Sequence, residues 1–398
     1  MPMRKFIYNN KPVSACYGCQ ACIQICPRTA ISITHNDEGF LYPRINQDQC
    51  IDCSLCEQVC PTQEVNTEKI FNPMPKTVLA SWSKDFNIRM HSTSSGMFFL
   101  LSRKFIQEGG IVYGVGYNND LRAYHFRVTD IEGLDSLRGS KYMQSDINST
   151  YIQVKNDLKN GLKVLYSGTP CQIAGLRLFL RQNYDNLFTI DLVCHGVPSP
   201  TFFQAHVNYL EQKYNKQIID FKFRAKKNSG WRSYTKYVFQ DQKSVYKLLG
   251  EDLYSHLFHS GCINRESCFT CEFSKAERVS DITLSDFWGG EKYSRELKRQ
   301  RKYGFNMVMC NTIKGENLFK SISDEVESRI IPIEFAIKGD IRLQHSEARP
   351  NLRNNIYKLY KNKGYEYLVK TYSLKQSFIK KLIPNSFKNL IKEIQSHL

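Results

Sequence analysis

The chain has 398 residues, 41% of them hydrophobic, and this length allows two or three domains with a sizeable core. Its net charge of +17 is concentrated in residues 341–398, where twelve Lys and Arg stand against three Asp and Glu; residues 1–75 hold six against seven. There is no apolar leader core and no run of about 18 apolar residues, which argues against secretion or membrane spanning and predicts a cytoplasmic location. The sequence shows no recognised nucleic-acid-binding fold and no aromatic platform beside this positive charge, so we do not expect nucleic acid as a partner.

Residues 1–66 contain the same cysteine pattern twice. The run C-x-x-C-x-x-C-x-x-x-C-P begins at Cys16 and again at Cys50, 34 residues later. In two-cluster ferredoxins the fourth cysteine of each such run ligates the other cluster. The spacing therefore predicts one [4Fe–4S] cluster on Cys16, Cys19, Cys22 and Cys60. It predicts a second cluster on Cys50, Cys53, Cys56 and Cys26.

This repeat predicts a bacterial-type two-cluster ferredoxin domain with short strands near residues 30–34 and 41–45. A pair of zinc ribbons or a disulfide frame is the alternative, but zinc sites usually need two C-x-x-C pairs per metal, not eight cysteines in two identical runs. Cluster ligands must stay reduced, which also fits the cytosol. The pattern thus predicts a protein that moves electrons.

Residues 67–77 contain two X-Pro pairs and are predicted to form a linker, because the residue before proline favours extended backbone. From residue 78 onward, predicted strands alternate with predicted helices. Strands are predicted over 78–83, 111–117, 163–168, 186–194 and 305–312, helices over 97–107, 151–159 and 172–182, and a hairpin over 234–249. This alternation favours a partly parallel sheet in a domain that extends to residue 340.

Six cysteines lie outside the ferredoxin runs: Cys171, Cys194, Cys262, Cys268, Cys271 and Cys310. Cys262, Cys268 and Cys271 are closely spaced but lack a fourth ligand, which Cys194 at the end of a predicted strand can supply. Three interpretations of this set remain open: a third iron–sulfur cluster, a zinc site that includes His195, or buried free cysteines. Cys310, inside an apolar strand, is expected to be a free buried thiol.

Three short glycine-containing loops have the chemistry of phosphate-binding turns. They span residues 93–96, 139–142 and 167–170. The first and the last precede predicted helices, whose N-terminal N–H groups favour anions. Such turns usually cap helices and do nothing more. Three of them in one redox protein favour a bound dinucleotide or flavin, although composition does not say which.

The central region resembles the coenzyme F-420 hydrogenase/dehydrogenase beta-subunit family, in the form with an N-terminal two-cluster ferredoxin domain. The matching stretches are HSTSSGMFF (91–99), LRGSKYMQS (137–145), VLYSGTPCQIAGLR (164–177), DLVCHGVPSP (191–200), FRAKKNSGW (223–231), CINRESCFTC (262–271) and RVSDITLSDFWGG (278–290). Two positions depart from the usual family pattern. Met97 follows Gly96 where a second glycine is common, and Ser285 precedes Asp286 where a glycine is common. Both departures bear on loop geometry near the expected cofactor.

The resemblance implies an α+β protein in which the ferredoxin domain precedes a mixed α/β domain that binds FAD and a third [4Fe–4S] cluster. The implied ligands of the third cluster are Cys194, Cys262, Cys268 and Cys271, with Cys171 in reserve. The implied flavin contacts are Ser94, Ser95, Gly96, Gly139, Ser140, Lys141, Tyr142, Gly168, Thr169, Pro170, Cys171 and Gln172. In F-420-dependent members of the family, electrons pass between the clusters and the deazaflavin through FAD.

Two classes of function follow from this resemblance. One is a flavin-dependent oxidoreductase with its own small-molecule substrate, F-420 or another compound, and a redox donor such as ferredoxin. The other is a non-catalytic electron-transfer subunit that serves a separate catalytic subunit. Members that lack the deazaflavin are often encoded with cell-surface polysaccharide synthesis, which is a further expectation. His195 is either a proton donor or a locally bonded histidine, and no residue has a sequence-based catalytic assignment.

Residues 341–398 are predicted to form a basic helical tail. From Leu374 apolar residues recur at helical spacing among lysines, and Pro384 would divide the segment into two helices. Such a segment can lie on an anionic membrane surface or dock on a partner. The alternative is a terminal helix packed on its own domain.

Overall fold

The computed structural model describes residues 11–227 and 230–372, with the backbone alone at 230–233. The ferredoxin region comprises α1 (Ala21–Ile25), β1 (Ile31–His35), β2 (Leu41–Ile45), α2 (Leu55–Gln58) and α3 (Glu64–Thr67). β1 and β2 pair as an antiparallel hairpin in which Ile33 lies opposite Pro43. The two predicted strands are therefore confirmed, with β1 displaced by one residue.

The rest of the chain alternates between strands and helices. The strands are β3 (Thr77–Ser83), β4 (Ile111–Tyr117), β5 (Ala123–Val128), β6 (Val164–Ser167), β7 (Leu187–Leu192), β8 (Ile218–Lys227), β9 (Gly230–Phe239), β10 (Ser244–Leu248), β11 (Ile282–Asp286), β12 (Asn306–Cys310) and β13 (Val326–Ile330). The helices are α4 (Phe86–Met90), α5 (Met97–Gln107), α6 (Leu134–Leu137), α7 (Thr150–Lys159), α8 (Pro170–Leu180), α9 (Pro200–Tyr214), α10 (Leu253–His259), α11 (Arg295–Gln300), α12 (Ile313–Lys320), α13 (Ile333–Gly339) and α14 (Arg353–Tyr372), which is interrupted at Gly364.

An eight-stranded sheet in the order β13-β3-β12-β11-β7-β6-β4-β5 lies at the centre of the molecule. β11, β7, β6 and β4 run parallel to one another, and the outer strands pair antiparallel. This confirms the partly parallel sheet and the mixed α/β character of the second region. The carboxyl ends of the four parallel strands meet at one edge, which we call the C-terminal edge and which is where open α/β sheets bind ligands.

Helices cover both faces of this sheet, and the period-two alternation of the strands supplies both cores. Tyr113 of β4 and Tyr166 of β6 belong to a core shared with α7 and α8. Val112 and Leu165, their neighbours in sequence, belong to a core shared with α5 and α12. This arrangement fixes α8, and therefore its first turn, at the C-terminal edge beside β6.

A second, three-stranded antiparallel sheet is formed by β8, β9 and β10. β9 and β10 confirm the predicted hairpin, with Tyr234 opposite Leu248. β8 was not predicted, although Phe221 and Phe223 are buried and Lys222 between them is exposed. Side chains of α9, α10 and α14 complete the aromatic core under this sheet.

The predicted linker and part of the predicted tail both belong to the folded body. Within residues 67–77, the Ile70 carbonyl accepts from Arg177, and the Asn72 side chain donates to the Ser280 carbonyl at 2.8 Å. In the tail, Ile356 and Leu368 of α14 are completely buried. The amphipathic segment that begins at Leu374 lies outside the described residues. Within the described ranges no helix combines the length and apolar character needed to cross a membrane.

Candidate functional site

Four cysteines of the ferredoxin region line one cavity. They are Cys16, Cys19, Cys22 and Cys60, called here the inner thiol set. Each of them is only 7–8% exposed. Cys60 comes from the second cysteine run, so the structure brings together the four residues that spacing predicts for one cluster.

The inner thiol set has the electrostatics of a cluster site. Burial raises the pKa of Cys19 and of Cys22, and neighbouring thiols of the set raise both values further. Four buried thiolates therefore need a bound positive centre to offset their charge. The Gly18 N–H donates to Cys16 Sγ at 3.3 Å, and Thr62 Oγ1 lies 2.8 Å from Cys60 Sγ. Hydrogen bonds to sulfur are among the groups that tune a cubane's reduction potential.

The other four ferredoxin cysteines form the outer thiol set, which consists of Cys26, Cys50, Cys53 and Cys56. Cys53 is exposed and the other three are half-buried. Burial raises the pKa of Cys56 to about 11, with smaller contributions from Glu57 and Cys50. Cys26 and Cys56 pack against the same small apolar cluster that contains Cys22 and Cys60. The two thiol sets are therefore neighbours, and only the outer one reaches solvent.

The inner thiol set lies directly against the central domain. A side chain at Gly175 of α8 would come within 3.0 Å of Cys19 Sγ, so glycine is required for this approach. Tyr17 packs edge-on against Phe273, with ring centroids 5.3 Å apart. Arg265 donates from Nε to the Cys16 carbonyl at 2.6 Å. Sequence reasoning singled out neither Gly175 nor Arg265 as contacts of the cluster domain.

Four cysteines of the central domain are close enough to influence one another's charge, and we call them the central thiol set: Cys171, Cys194, Cys268 and Cys271. Burial raises the pKa of Cys171 to about 12 and that of Cys194 to about 11, and Cys271 raises both further. Burial also raises the pKa of Cys268, with added effects of Cys194, Cys271 and Cys171. Three separate loops supply these residues: the first turn of α8, the end of β7, and a 3₁₀ turn over Glu266–Thr270.

Cys262, which the family resemblance implies as a cluster ligand, lies in a different environment from the central thiol set. Its backbone N–H donates to the Leu257 carbonyl at 2.9 Å at the end of α10, and its side chain belongs to the aromatic core. Cys171 is the residue that the structure places beside Cys194, Cys268 and Cys271. Which four of these thiols bind a cluster stays a prediction. Across the described residues, no three His, Cys, Asp or Glu side chains converge as closely as the ligands of a single metal ion do.

The three predicted glycine loops all lie at the C-terminal edge of the sheet. The Ser140 N–H donates to Thr93 Oγ1 at 3.0 Å, which joins the first loop to the second. Thr169 caps α8 and lies 3.2 Å from Cys171 Sγ, which joins the third loop to the central thiol set. The sheet edge thus brings thiols and phosphate-type loops together.

Three of the predicted flavin contacts already have structural partners. The Ser95 hydroxyl donates to the Ser81 carbonyl at 2.7 Å. The Lys141 amine donates to the carbonyls of Ser136 and Arg138. The Gln172 amide closes the capping box of α8. In contrast, the buried Ser94 Oγ has no hydrogen-bond partner among the described residues.

Polar residues that sequence reasoning missed surround the same loops. The Lys226 amine donates to the carbonyls of Arg89, Ser94 and Tyr303, which fixes the first loop in place. Arg224 pairs with Asp286 at 2.9 Å and donates to the Tyr142 hydroxyl at 3.2 Å. The sequence signal that could have found these cations is the alternation of apolar and charged residues in DFKFRAK (220–226), because it predicts a strand that carries both Arg224 and Lys226.

His195 is held by local contacts beside the central thiol set. Its Nδ1 lies 3.4 Å from Glu347 Oε1, and its Nε2 lies 3.2 Å from the Phe258 carbonyl oxygen. The His195 side chain is 11% exposed. These contacts agree with a locally bonded histidine, and the role of proton donor stays a prediction.

Comparison with known proteins identifies two regions of the chain. Residues 161–334 match the family of C-terminal regions of the coenzyme F-420 hydrogenase/dehydrogenase beta subunit. Residues 15–63 match the 4Fe-4S dicluster domain. Among solved structures, a chain of the F-420-reducing [NiFe] hydrogenase complex from Methanosarcina barkeri, studied as a xenon derivative, is 18% identical. The alignment covers 79% of this chain and 97% of that chain, with a TM-score of 0.44.

No curated protein matches the chain. The two family matches include both cysteine runs and all four members of the central thiol set, and they confirm the resemblance seen in the sequence. The protein is therefore iron–sulfur and oxidoreductase-like, with a 4Fe-4S dicluster domain at residues 15–63 and, over residues 161–334, similarity to the C-terminal region of the coenzyme F-420 hydrogenase/dehydrogenase beta subunit.

Proposed function

We propose that the chain is an iron–sulfur flavoprotein oxidoreductase that passes electrons between three cubane clusters and a two-electron substrate through FAD. The observation that carries this proposal is the shared use of α8. Gly175 of this helix receives Cys19 of the inner thiol set, and Cys171, one turn earlier, belongs to the central thiol set. The Cys171 thiol contributes to the raised pKa of Cys19, after burial and the inner-set thiol Cys60.

The three thiol sets define an order for the relay. The outer thiol set reaches solvent at Cys53, where a redox donor such as ferredoxin can approach. The inner thiol set is buried between the outer set and α8. The central thiol set lies at the C-terminal edge of the sheet, beside the glycine loops. Electrons that enter at the surface therefore have a continuous route inward.

The central thiol set fits a third [4Fe–4S] cluster by its donor chemistry. Four half-buried thiols from three segments, which repel one another when charged, form a ligand set of the cubane type. His195 stands next to Cys194 but is held by Glu347 and the Phe258 carbonyl. These contacts favour an all-cysteine site over a zinc site that uses this histidine.

FAD would bind at the glycine loops of the C-terminal edge. Ser94 offers a buried hydroxyl without a hydrogen-bond partner in the described part of the chain, and a Cβ at Gly139 would come no closer than 4.0 Å to Thr93 Oγ1. In the first turn of α8, Pro170 has no N–H and the capping box occupies those of Thr169 and Gln172, which leaves the Cys171 N–H for an anion such as a pyrophosphate. A bound flavin accepts electrons in pairs and releases them singly, which matches one-electron clusters to a two-electron substrate.

The substrate is proposed to be F-420 or another small molecule that exchanges two electrons. A second function, transfer of electrons to a separate catalytic subunit, is favoured by the exposed Cys53 and its exposed neighbour Ile51, which is 57% accessible. An apolar surface beside a solvent-reachable cluster suits a protein redox partner. The two functions differ in whether the chain has a substrate of its own.

The experiment is iron and flavin analysis of the full chain after anaerobic purification. We expect about twelve irons and one FAD per chain, as three four-iron clusters require. Reduction of F-420 or another acceptor by the purified chain would then separate an enzyme from a relay. About eight irons without flavin, even after reconstitution, would contradict both the third cluster and the FAD site.

A further inference from the structure

Among the described residues, the most deeply buried arginines are Arg265, Arg278 and Arg353. Arg278 lies 3.2 Å from Asp191, and Arg353 lies 2.6 Å from Glu38 and 3.2 Å from Glu266. Arg265 differs from both, because no carboxylate of the described residues lies within ion-pair distance of it. Its Nη2 atom also has no hydrogen-bond partner among those residues.

The guanidinium of Arg265 lies behind the wall of the cavity that the inner thiol set lines. Its Nε donates to the Cys16 carbonyl at 2.6 Å, and its Nη1 donates to the Leu41 carbonyl at 3.0 Å. The guanidinium carbon stands 4.0 Å from the centre of the Tyr42 ring. Cys16, Leu41 and Tyr42 all line that cavity. The positive charge of Arg265 is therefore adjacent to the site and screened from water.

A nearby negative charge stabilises a buried cation, because neutral hydrogen bonds only partly offset the desolvation of an isolated ion. Arg278 and Arg353 obtain that charge from carboxylates. The negative charge available to Arg265 is that of thiolates: the four of the inner set around a cubane, whose cavity is lined by residues that Arg265 contacts, and Cys171 of the central set, whose pKa Arg265 lowers. The otherwise uncompensated arginine and the buried thiols thus fit each other only when the cluster is bound.

Building on the function proposed above, we propose that Arg265 is the counter-charge of the inner cluster and raises its reduction potential. Reduction adds one electron beside a fixed positive charge in a site of low polarity, so the reduced form gains more from Arg265 than the oxidised form. The outer thiol set reaches water at Cys53 and shares no contact with Arg265. Arg265 therefore makes inward electron transfer, from the outer cluster to the inner one, more favourable than it would be without this charge.

The test is a potentiometric titration of the intact, cluster-loaded chain, followed by electron paramagnetic resonance. In Arg265→Gln the ratio of reduced to oxidised inner cluster at a fixed potential should fall about tenfold, which equals a shift of about 59 mV for one electron. The outer couple should not move. An unchanged inner couple, or equal shifts of both couples, would overturn the proposal.

Two further variants keep the test decisive if Arg265→Gln does not fold. Gln144→Glu keeps the side-chain shape and places a carboxylate where Gln144 Oε1 now accepts from Arg265 at 3.1 Å, so it should lower the inner couple in the same direction. Arg265→Lys keeps the charge and should shift it much less. An inner couple that stays in place in Gln144→Glu would contradict the proposal.

Arg353→Gln is the matched control, because it removes an equally buried charge that already has carboxylate partners. It should lower the melting temperature without moving either couple. Iron content distinguishes a failure of the proposed function from a failure of the proposed role of Arg265. A wild-type chain without clusters would refute the proposed function, whereas loaded clusters with no response to Arg265 would refute only the role of this residue.

Discussion

The inner and outer thiol sets arise from one repeated cysteine pattern, yet their surroundings are opposite. All four inner-set cysteines are buried and line a single cavity. In the outer set, Cys53 is exposed and the remaining three are half-buried. The inner set faces α8 and Arg265, while the outer set faces solvent. Identical ligand spacing therefore sets cluster type, and the packing around it sets what each cluster can exchange electrons with.

This difference in burial suggests a direction for electron transfer through the protein. A cluster that solvent reaches can meet a separate donor, and a cluster enclosed by protein can exchange electrons only with its neighbours. The inner set has such a neighbour on each side, with the outer set sharing its small apolar core and the central thiol set sharing α8. The contrast is useful only if the central set also binds a cluster, which is the first point to test.

The largest effect is expected from Cys171→Ser, which removes one ligand of the central set. We expect the chain to lose about four irons, one cubane, while both ferredoxin clusters remain. Iron analysis and electron paramagnetic resonance on anaerobically purified protein measure this.

Cys262→Ser is the matched control for Cys171→Ser, because Cys262 is a buried thiol that lies in the aromatic core away from the central set. It should retain the full iron content. The opposite result, with iron lost from Cys262→Ser and kept in Cys171→Ser, would support the ligand set that the family resemblance implies and refute the proposed role of Cys171.

Metal removal should separate the outer from the inner cluster. A water-soluble iron chelator added under mild oxidation should extract about four irons in a first phase, because Cys53 exposes the outer cluster to attack. The remaining irons should leave much later. Iron release that follows a single rate for all clusters would show that the difference in burial has no consequence for access.

A smaller effect is expected from Gly175→Ala in α8. Alanine usually stabilises a helix relative to glycine by about 1 kcal/mol. Here the added Cβ would lie 2.9 Å from Cys19 Cβ and 3.2 Å from the Tyr151 hydroxyl. We expect a net loss of about 1–3 kcal/mol in the free energy of unfolding, as for an overpacked core.

Denaturant unfolding of the anaerobic protein measures this change in stability. Gly250→Ala is the control, because a Cβ at Gly250 meets nothing within 4 Å and this glycine does not have a positive φ. Equal stability of Gly175→Ala and Gly250→Ala would mean that the contact between α8 and the ferredoxin region tolerates expansion and is not closely packed.

The sequence predicted these regions to different extents, for physical reasons. Ferredoxin ligands lie within short runs whose spacing is fixed by the cubane, so Cys60 could be assigned to the cavity of the first run from spacing alone. The central set is assembled by the sheet from three distant loops. The sequence could not decide between Cys171 and Cys262 as the fourth ligand, because it does not show that the Cys262 side chain lies in an aromatic core. The sequence signal that could have favoured Cys171 was its position directly after a strand and the turn formed by Gly168, Thr169 and Pro170.

The flavin contacts show a second limit. The three loops lie together at the C-terminal edge of the sheet, whereas their role in binding a flavin stays a prediction. The sequence could not tell which side chains in these loops are free to contact a ligand, because Ser94 and Ser95 have the same chemistry and adjacent positions. The fold gives Ser95 two partners, Ser81 and Asn306, and leaves the hydroxyl of Ser94 without one in the described residues.

The most direct test of the relay is rapid-mixing reduction of the chain by a protein donor, followed by flavin absorbance. Cys19→Ala, which removes a ligand of the inner cluster, is compared with Cys310→Ala, which removes the free thiol buried in β12. We predict that Cys310→Ala keeps rapid flavin reduction, whereas Cys19→Ala still accepts electrons at the outer cluster but loses the rapid flavin phase. Rapid flavin reduction in a Cys19→Ala chain whose iron content proves the inner cluster absent would contradict an electron route through the inner thiol set.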